Sequence, residues 1–170
     1  MTAAKARKHR ELDQSALLGI VGYCVRSADN VLVRWYKQYI RRTTHLREIE
    51  FSILTLLDTN DNVTPKQLSQ ALHLSPPNLA VVIARLEVQG FVERHIAEHD
   101  RRSFRIELTK KAVARMAAVR EAARAMEADL MRDWSKAERA KLIALLEKLR
   151  NSQPPPARAR KGDAGSGGGA

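Results

Sequence analysis

The sequence predicts a mainly α-helical chain carrying one small β-hairpin, and three observations predict it. Apolar residues recur every three or four positions through most of the chain. A single stretch, from Phe91 to Leu108, changes to the alternating pattern of strands. Pro65, Pro76 and Gly90 stand where helices should start or stop. With 170 residues, 44% of them hydrophobic, the chain is long enough to bury a core, which excludes disorder as a description of the whole.

In chain order, Leu17, Val21, Cys24, Ala28, Val31 or Leu32, Trp35 and Tyr39 describe one face of a long helix ending near Arg42. A second helix, Leu46 to Asp58, uses Ile49, Ile53, Leu56 and Leu57 and is stopped by Asn60-Asp61-Asn62. Thr64 is a natural N-cap, Pro65 suits the first helical position, and Gln67 completes a capping box, so a short helix runs to Leu72. After His73 and Leu74, Ser75 and Pro76 open another helix through Leu79, Ile83 and Leu86, which Gly90 ends. Two short helices on so tight a connection make a helix-turn-helix. Phe104, Ile106 and Leu108 alternate with Ser103, Arg105 and Glu107, and pair with Phe91 to Ile96 as a hairpin tipped by His99, Asp100, Arg101 and Arg102. Thr109 then caps a helix with Met116, Val119, Ala123, Met126, Leu130 and Trp134 on one face. Ser135 and Glu138 form a further capping box, opening a last stripe of Leu142, Leu145 or Leu146, and Leu149.

These elements divide the chain. Residues 1–12 read as a flexible basic arm, 13–45 and 110–150 as a helical dimerisation region, 46–109 as a winged helix-turn-helix, and 151–170, rich in Pro and Gly, as a disordered tail. With 30 Lys and Arg against 19 Asp and Glu, the net charge is +11, much of it in the ordered middle, and an acidic partner is implied. No apolar run is long enough to cross a bilayer, the basic N-terminus leads into no signal-peptide segment, and Cys24 is the single cysteine. The expectation is a protein of the reducing cytoplasm, with no membrane partner, cofactor, metal or disulfide.

A helix fits the major groove of duplex DNA, and a hairpin with a basic tip reaches the adjacent minor groove. If Leu79, Ile83 and Leu86 face inward, Pro77, Asn78, Val81 and Arg85 face out beside the Ser75 cap. Asn78 is then the side chain in the first turns able to make a bidentate contact, usually to adenine, and Val81 reaches only a thymine methyl. Charge must come from elsewhere, and Lys66, Arg94, Arg101, Arg102 and Arg105 are placed to supply it at phosphates, which position without reading sequence.

Asp100-Arg101-Arg102 followed by Leu108-Thr109 fits the D-x-R-x5-L-T signature, and in this the chain resembles the MarR family of bacterial transcription regulators. Leu18-Gly19 to Tyr23, Leu68 to Leu86, and Leu86-Glu87 with Gly90-Phe91-Val92-Glu93-Arg94 extend the likeness over most of the ordered chain. The resemblance implies a homodimer paired through its outer helices, a palindromic operator, a repressor's role at the nucleoid, and often a small, frequently aromatic effector. It implies that Arg102 is the wing-tip arginine of the minor groove and Asp100 the carboxylate that orients it. Ala112 stands where many members have glycine, and the reading helix starts with two prolines, so no base preference transfers.

Three other constellations compete. His95-Ile96-Ala97-Glu98-His99 matches the H-x-x-E-H zinc peptidase motif, but that chemistry needs one helical face and these residues fall in a strand and its turn, which argues against an enzyme. Cys24 lies roughly where the resemblance places the reactive cysteine of hydroperoxide sensors, yet the stripe from Val21 to Ala28 predicts a buried, inert thiol. Tyr23, Arg26, Trp35, Tyr36 and Tyr39, with Arg47, are the candidate lining of an effector pocket, although ordinary packing explains most of the aromatics. Leu17, Val21, Leu142, Leu146 and Leu149 are the candidate dimer contacts. A ligand-responsive regulator and a constitutive architectural DNA-binding protein of the same fold both fit, and they differ in how strongly one site is preferred over random duplex.

Overall fold

The computed structural model describes residues 12–97 and 100–153, and of residues 96–103 it describes no side chains. The basic arm, His99 and most of the proline- and glycine-rich tail therefore lie outside the described residues. Two compact units are present, one up to Leu130 and one from Met131.

The first unit opens with a short helix α1 (Ser15–Leu18) and continues as α2 (Val21–Tyr36). The single long helix expected from the apolar spacing is thus broken. Gly19 and an extended Ile20 (ψ 110°) separate the two pieces, and Gly22 follows at once. Each glycine costs a helix interior about 1 kcal/mol relative to alanine, which the continuous stripe does not reveal. Past Tyr36 the chain widens into a π-helical segment, Lys37–Arg41, before α3 (Arg42–Thr44) and a left-handed His45 (φ 60°) end the run. Thr43 and Thr44 both donate their hydroxyls to the carbonyl of Ile40, at 3.1 and 2.7 Å, satisfying acceptors at the widened turn.

The second predicted helix begins two residues later than the sequence implied, as α4 (Glu48–Thr59), because Arg47 is extended and the Glu50 carboxylate accepts its N–H at 2.8 Å. The helix-turn-helix follows as α5 (Pro65–Leu72) and α6 (Pro76–Val88). Thr64 and Gln67 form the expected reciprocal cap, and a left-handed His73 (φ 52°) turns the chain between the helices. Ser75 takes the extended N-cap conformation but its hydroxyl makes no capping bond, a correction to the sequence reading: the proline that follows preorganises the first turn without it. Gly90 (φ 69°) lets Phe91 N–H reach back to the Leu86 carbonyl at 2.8 Å and closes α6.

The hairpin consists of β1 (Val92–Ala97) and β2 (Asp100–Leu108), antiparallel, with Val92 opposite Leu108 and a bulge after Ile96. Val63 adds a one-residue bridge to Ile106, tying the hairpin to the loop before α5. Thr109 donates to the Gly90 carbonyl at 2.8 Å and accepts the N–H of Ala112, so one hydroxyl fastens the hairpin's base and starts α7 (Lys110–Leu130). Ile53, Leu57, Leu68, Leu79, Ile83, Leu86, Ile106 and Met116 are packed as one core under these elements.

Trp134 does not continue the α7 stripe: the helix stops at Leu130 and the tryptophan is exposed after a turn. The Ser135–Glu138 box beyond it forces a new start, α8 (Lys136–Arg150), in the second unit. On α8 Leu142 is half-buried and Leu146 and Leu149 are exposed.

Candidate nucleic-acid interface

The face that α6 turns outward follows from its phase. Leu79, Ile83 and Leu86 are in the core, which leaves Ser75, Pro77, Asn78 and Val81 exposed on the first turns, as the sequence implied. Val81 is 62% exposed. Lys66, on the first turn of α5, is exposed and without an ion pair among the described residues.

The arginines expected at phosphates are less free than their positions suggested. Arg94 on β1 is bound in a fork to Glu87 of α6, Nε to Oε1 at 2.6 Å and Nη2 to Oε2 at 2.8 Å, and lies 4.8 Å above the Phe104 ring. Arg105 donates to the side-chain carbonyl of Asn62. Arg85 is half-buried, with Nη1 3.5 Å from the buried carboxylate of Glu50. Asp100, Arg101 and Arg102 lie in the first residues of β2, beside the bulge, and their side chains are outside those described. Arg85, Arg94 and Arg105 lie on the elements expected of them, but spacing along one element shows none of their acidic or amide partners, which come from another helix or loop.

A cavity of about 410 Å³ opens between α5, α6 and the hairpin, with Lys66 and Arg94 at its edge and Leu79, Ile83 and Phe104 in its wall. No sequence signal marked it, because its lining comes from four elements, α5, α6, β1 and β2, and spacing along any one of them does not show it.

Of the six residues proposed for an effector, two line one pocket. Tyr36 and Arg47 line a pocket of about 320 Å³ with Arg41, Glu48 and Ile49. Arg41 was not anticipated. It stands five residues after Tyr36, and the widened π turn brings that spacing nearer to one face than an α-turn does. Tyr36 is buried, donates to the Leu46 carbonyl at 3.2 Å, and its phenol is pushed far above the ordinary tyrosine range by that burial, with Glu48 and Glu50 adding to the effect. Trp35 stacks on Tyr39 at 5.4 Å, and Tyr39 donates to Asp129 of α7. Tyr23 is bonded to Gln14, and Arg26 is exposed on α2. None of these last four lines the Tyr36 pocket.

Cys24 is exposed, against the expected burial, and donates its thiol to the Leu18 carbonyl at 3.2 Å. His95 stands on β1 between Glu93 (3.3 Å) and Glu107 (3.8 Å), all on an exposed strand face, and Glu98 and His99 of the H-x-x-E-H match are outside the described residues. Among the described residues no helix is long and apolar enough to cross a membrane.

Known proteins agree with this architecture. The MarR family model matches residues 46–104. A putative transcriptional regulatory protein for the hcr operon of Thauera aromatica is 26% identical over 165 residues, spanning 91% of this chain and 99% of its own length. Among solved structures, the transcriptional repressor CouR bound to a 23-mer DNA duplex superposes with a TM-score of 0.77 at 25% identity, covering 83% of this chain and 99% of that one. The Bordetella bronchiseptica regulator BpsR, whose DNA binding is regulated by 6-hydroxynicotinic acid, shares the fold at a TM-score of 0.72 and 22% identity, covering 78% and 94%. Each relative is a regulator rather than an enzyme. With the helix-turn-helix, the adjoining hairpin and the Thr109 fastening all in place, residues 46–104 match the MarR family of transcription regulators, and the chain is similar to such regulators along most of its length.

Proposed function

We propose that the protein acts as a homodimer that binds a palindromic operator, represses the neighbouring gene, and is released by a small aromatic effector. The observation that carries this reading is the exposed face of α6, where Asn78 and Val81 stand clear of the core beside a hairpin whose tip holds Arg102. CouR, similar along most of both chains, is a repressor and is bound to duplex in its structure, which supports duplex binding here. A two-fold dimer sets two reading helices about 34–36 Å apart, one turn of duplex. The apolar residues Leu17, Val21, Leu146 and Leu149, exposed in the single chain, supply a surface for it. The pocket of Tyr36, Arg41 and Arg47 suits an aromatic acid, with two guanidinium groups for a carboxylate and a tyrosine and Ile49 for a ring. Regulation of the same fold by 6-hydroxynicotinic acid in BpsR supports an effector of that class.

The test is titration of the DNA flanking the protein's own gene, alone and with a panel of aromatic acids and their coenzyme A thioesters, with light scattering on the free protein. One site bound far more tightly than random duplex, by a dimer, and weakened by one member of the panel is expected. Equal affinity for all duplexes would favour an architectural protein instead. Arg102→Ala should weaken binding by ~1–3 kcal/mol with folding unchanged; unaltered affinity would remove the hairpin tip from the interface.

A further inference from the structure

The DNA-facing helix α6 carries one cation, Arg85, and one anion, Glu87, in thirteen residues, and both are engaged within the chain. Glu87 holds Arg94. Arg85 directs a single guanidinium nitrogen at Oε1 of Glu50, at 3.5 Å, and its side chain remains 36% exposed while that of Glu50 is only 2% exposed. The other oxygen of Glu50 accepts the backbone N–H of Arg47 at 2.8 Å, which fixes the carboxylate at the start of α4. A carboxylate removed from water with one N–H on one side requires a cation on the other. Arg85 is that cation, and its side chain, 36% exposed, keeps N–H donors beyond the one aimed at Glu50.

We propose that Glu50 is a positioning residue that sets how much of the Arg85 charge a DNA phosphate meets, so that α6 reads duplex with its only cation shared. This rests on the DNA-binding reading above. A phosphate reaching the outer edge of Arg85 competes with a buried full charge that cannot follow it, and binding is weaker than the geometry of α6 alone allows. Glu50 is also joined through Arg47 to the rim of the pocket with Tyr36 and Arg41, so one carboxylate stands between pocket and reading helix.

The test uses the full chain with Glu50→Gln, which keeps the side chain's shape and an acceptor for Arg47 N–H but removes the charge. Binding to a short random-sequence duplex should tighten several-fold, and the slope of log affinity against log salt should steepen by up to about 0.9, the value of one phosphate. In an Arg85→Ala background the same substitution should change neither. An equal gain with and without Arg85 would mean only that a negative charge had been removed from the interface, and would overturn the proposal, as would no gain with Arg85 present. Should Glu50→Gln not fold, the unmodified chain still decides: the carboxyl carbon resonance of Glu50, which no duplex can touch, should move as duplex is added, and an unmoved resonance overturns the assignment. A chain that binds no duplex at all overturns this inference and the DNA reading together, whereas binding with an unresponsive Glu50 overturns this inference alone.

Discussion

Ile53, Leu79, Ile83 and Leu86 of the winged helix are at most 2% exposed, while Leu17, Val21, Leu146 and Leu149 of the outer helices stand 42–61% in solvent, although both sets recur at helical spacing. The first set is covered by six elements of the same chain that meet between Leu46 and Val119. The second set has no such cover in its own unit. Identical patterns in the sequence therefore have two different physical meanings, and what separates them is whether the partner surface lies in the same molecule. The winged helix is a core closed on itself; the outer helices are half of a core that a second copy completes in the proposed dimer.

That contrast is broken most directly on α8. Replacing Leu142 and Leu146 by glutamate should abolish dimerisation, and because two linked winged helices gain roughly 10²- to 10⁴-fold over one, affinity for the operator should fall by about that factor. The thermal unfolding of the winged helix should hardly move. Sedimentation and duplex titration of the same variant check both halves; a dimer that persists would place the interface elsewhere.

The reverse effect is expected from Leu86→Ala. Leu86 is 0% exposed and sits where α6 meets the hairpin's base, so its truncation should cost about 2–5 kcal/mol in denaturant unfolding, a large fraction of the margin of a small domain. Dimerisation by the outer helices should survive under conditions in which the variant remains folded. If the two substitutions had the same consequences, the division into a closed and an open core would be wrong.

The winged helix was the more legible of the two regions, and the reason is local. Thr64-Pro65-Lys66-Gln67, Gly90 and Thr109 each fix the backbone through contacts within a few residues or at a helix end, so type and order of the elements from α4 to α7 follow from the sequence. What the pattern concealed was non-local or cumulative. The break at Gly19 and the π turn at Lys37–Arg41 leave the apolar stripe uninterrupted, so the first helix read as one piece. The partners of Arg85 and Arg94 lie on α4 and α6, and spacing along one element says nothing of them. The candidate effector residues are spread for the same reason: Tyr36 and Arg47 share a pocket with Arg41, which the widened turn brings round, while Trp35 and Tyr39 stack on each other outside it.

The smallest expected effect sets the two regions' helix caps against each other under acid. The cap of α5 is neutral, Thr64 with Gln67, whereas that of α8 uses a charge: Glu138 accepts the Ser135 hydroxyl at 2.7 Å and its N–H at 2.9 Å. Those bonds, the hydroxyl's first and the backbone's second, hold the Glu138 carboxyl below the usual glutamate range. A carboxyl depressed in the folded state stabilises fully above its unfolded value and loses that contribution as pH falls through the folded one. Acidification below about pH 4, the ordinary glutamate range, should therefore fray the first turn of α8 while leaving α5 capped. Glu138 is fully exposed, so solvent screens the interaction and the loss is local. Amide resonances of Ser135 and Glu138 followed against those of Thr64 and Gln67 read it directly. Movement of the α8 pair alone, abolished by Glu138→Gln, is the expected result, since the amide rebuilds in α8 the neutral box that α5 already has; parallel movement of both pairs would mean that acid acts on the whole fold and not on this cap.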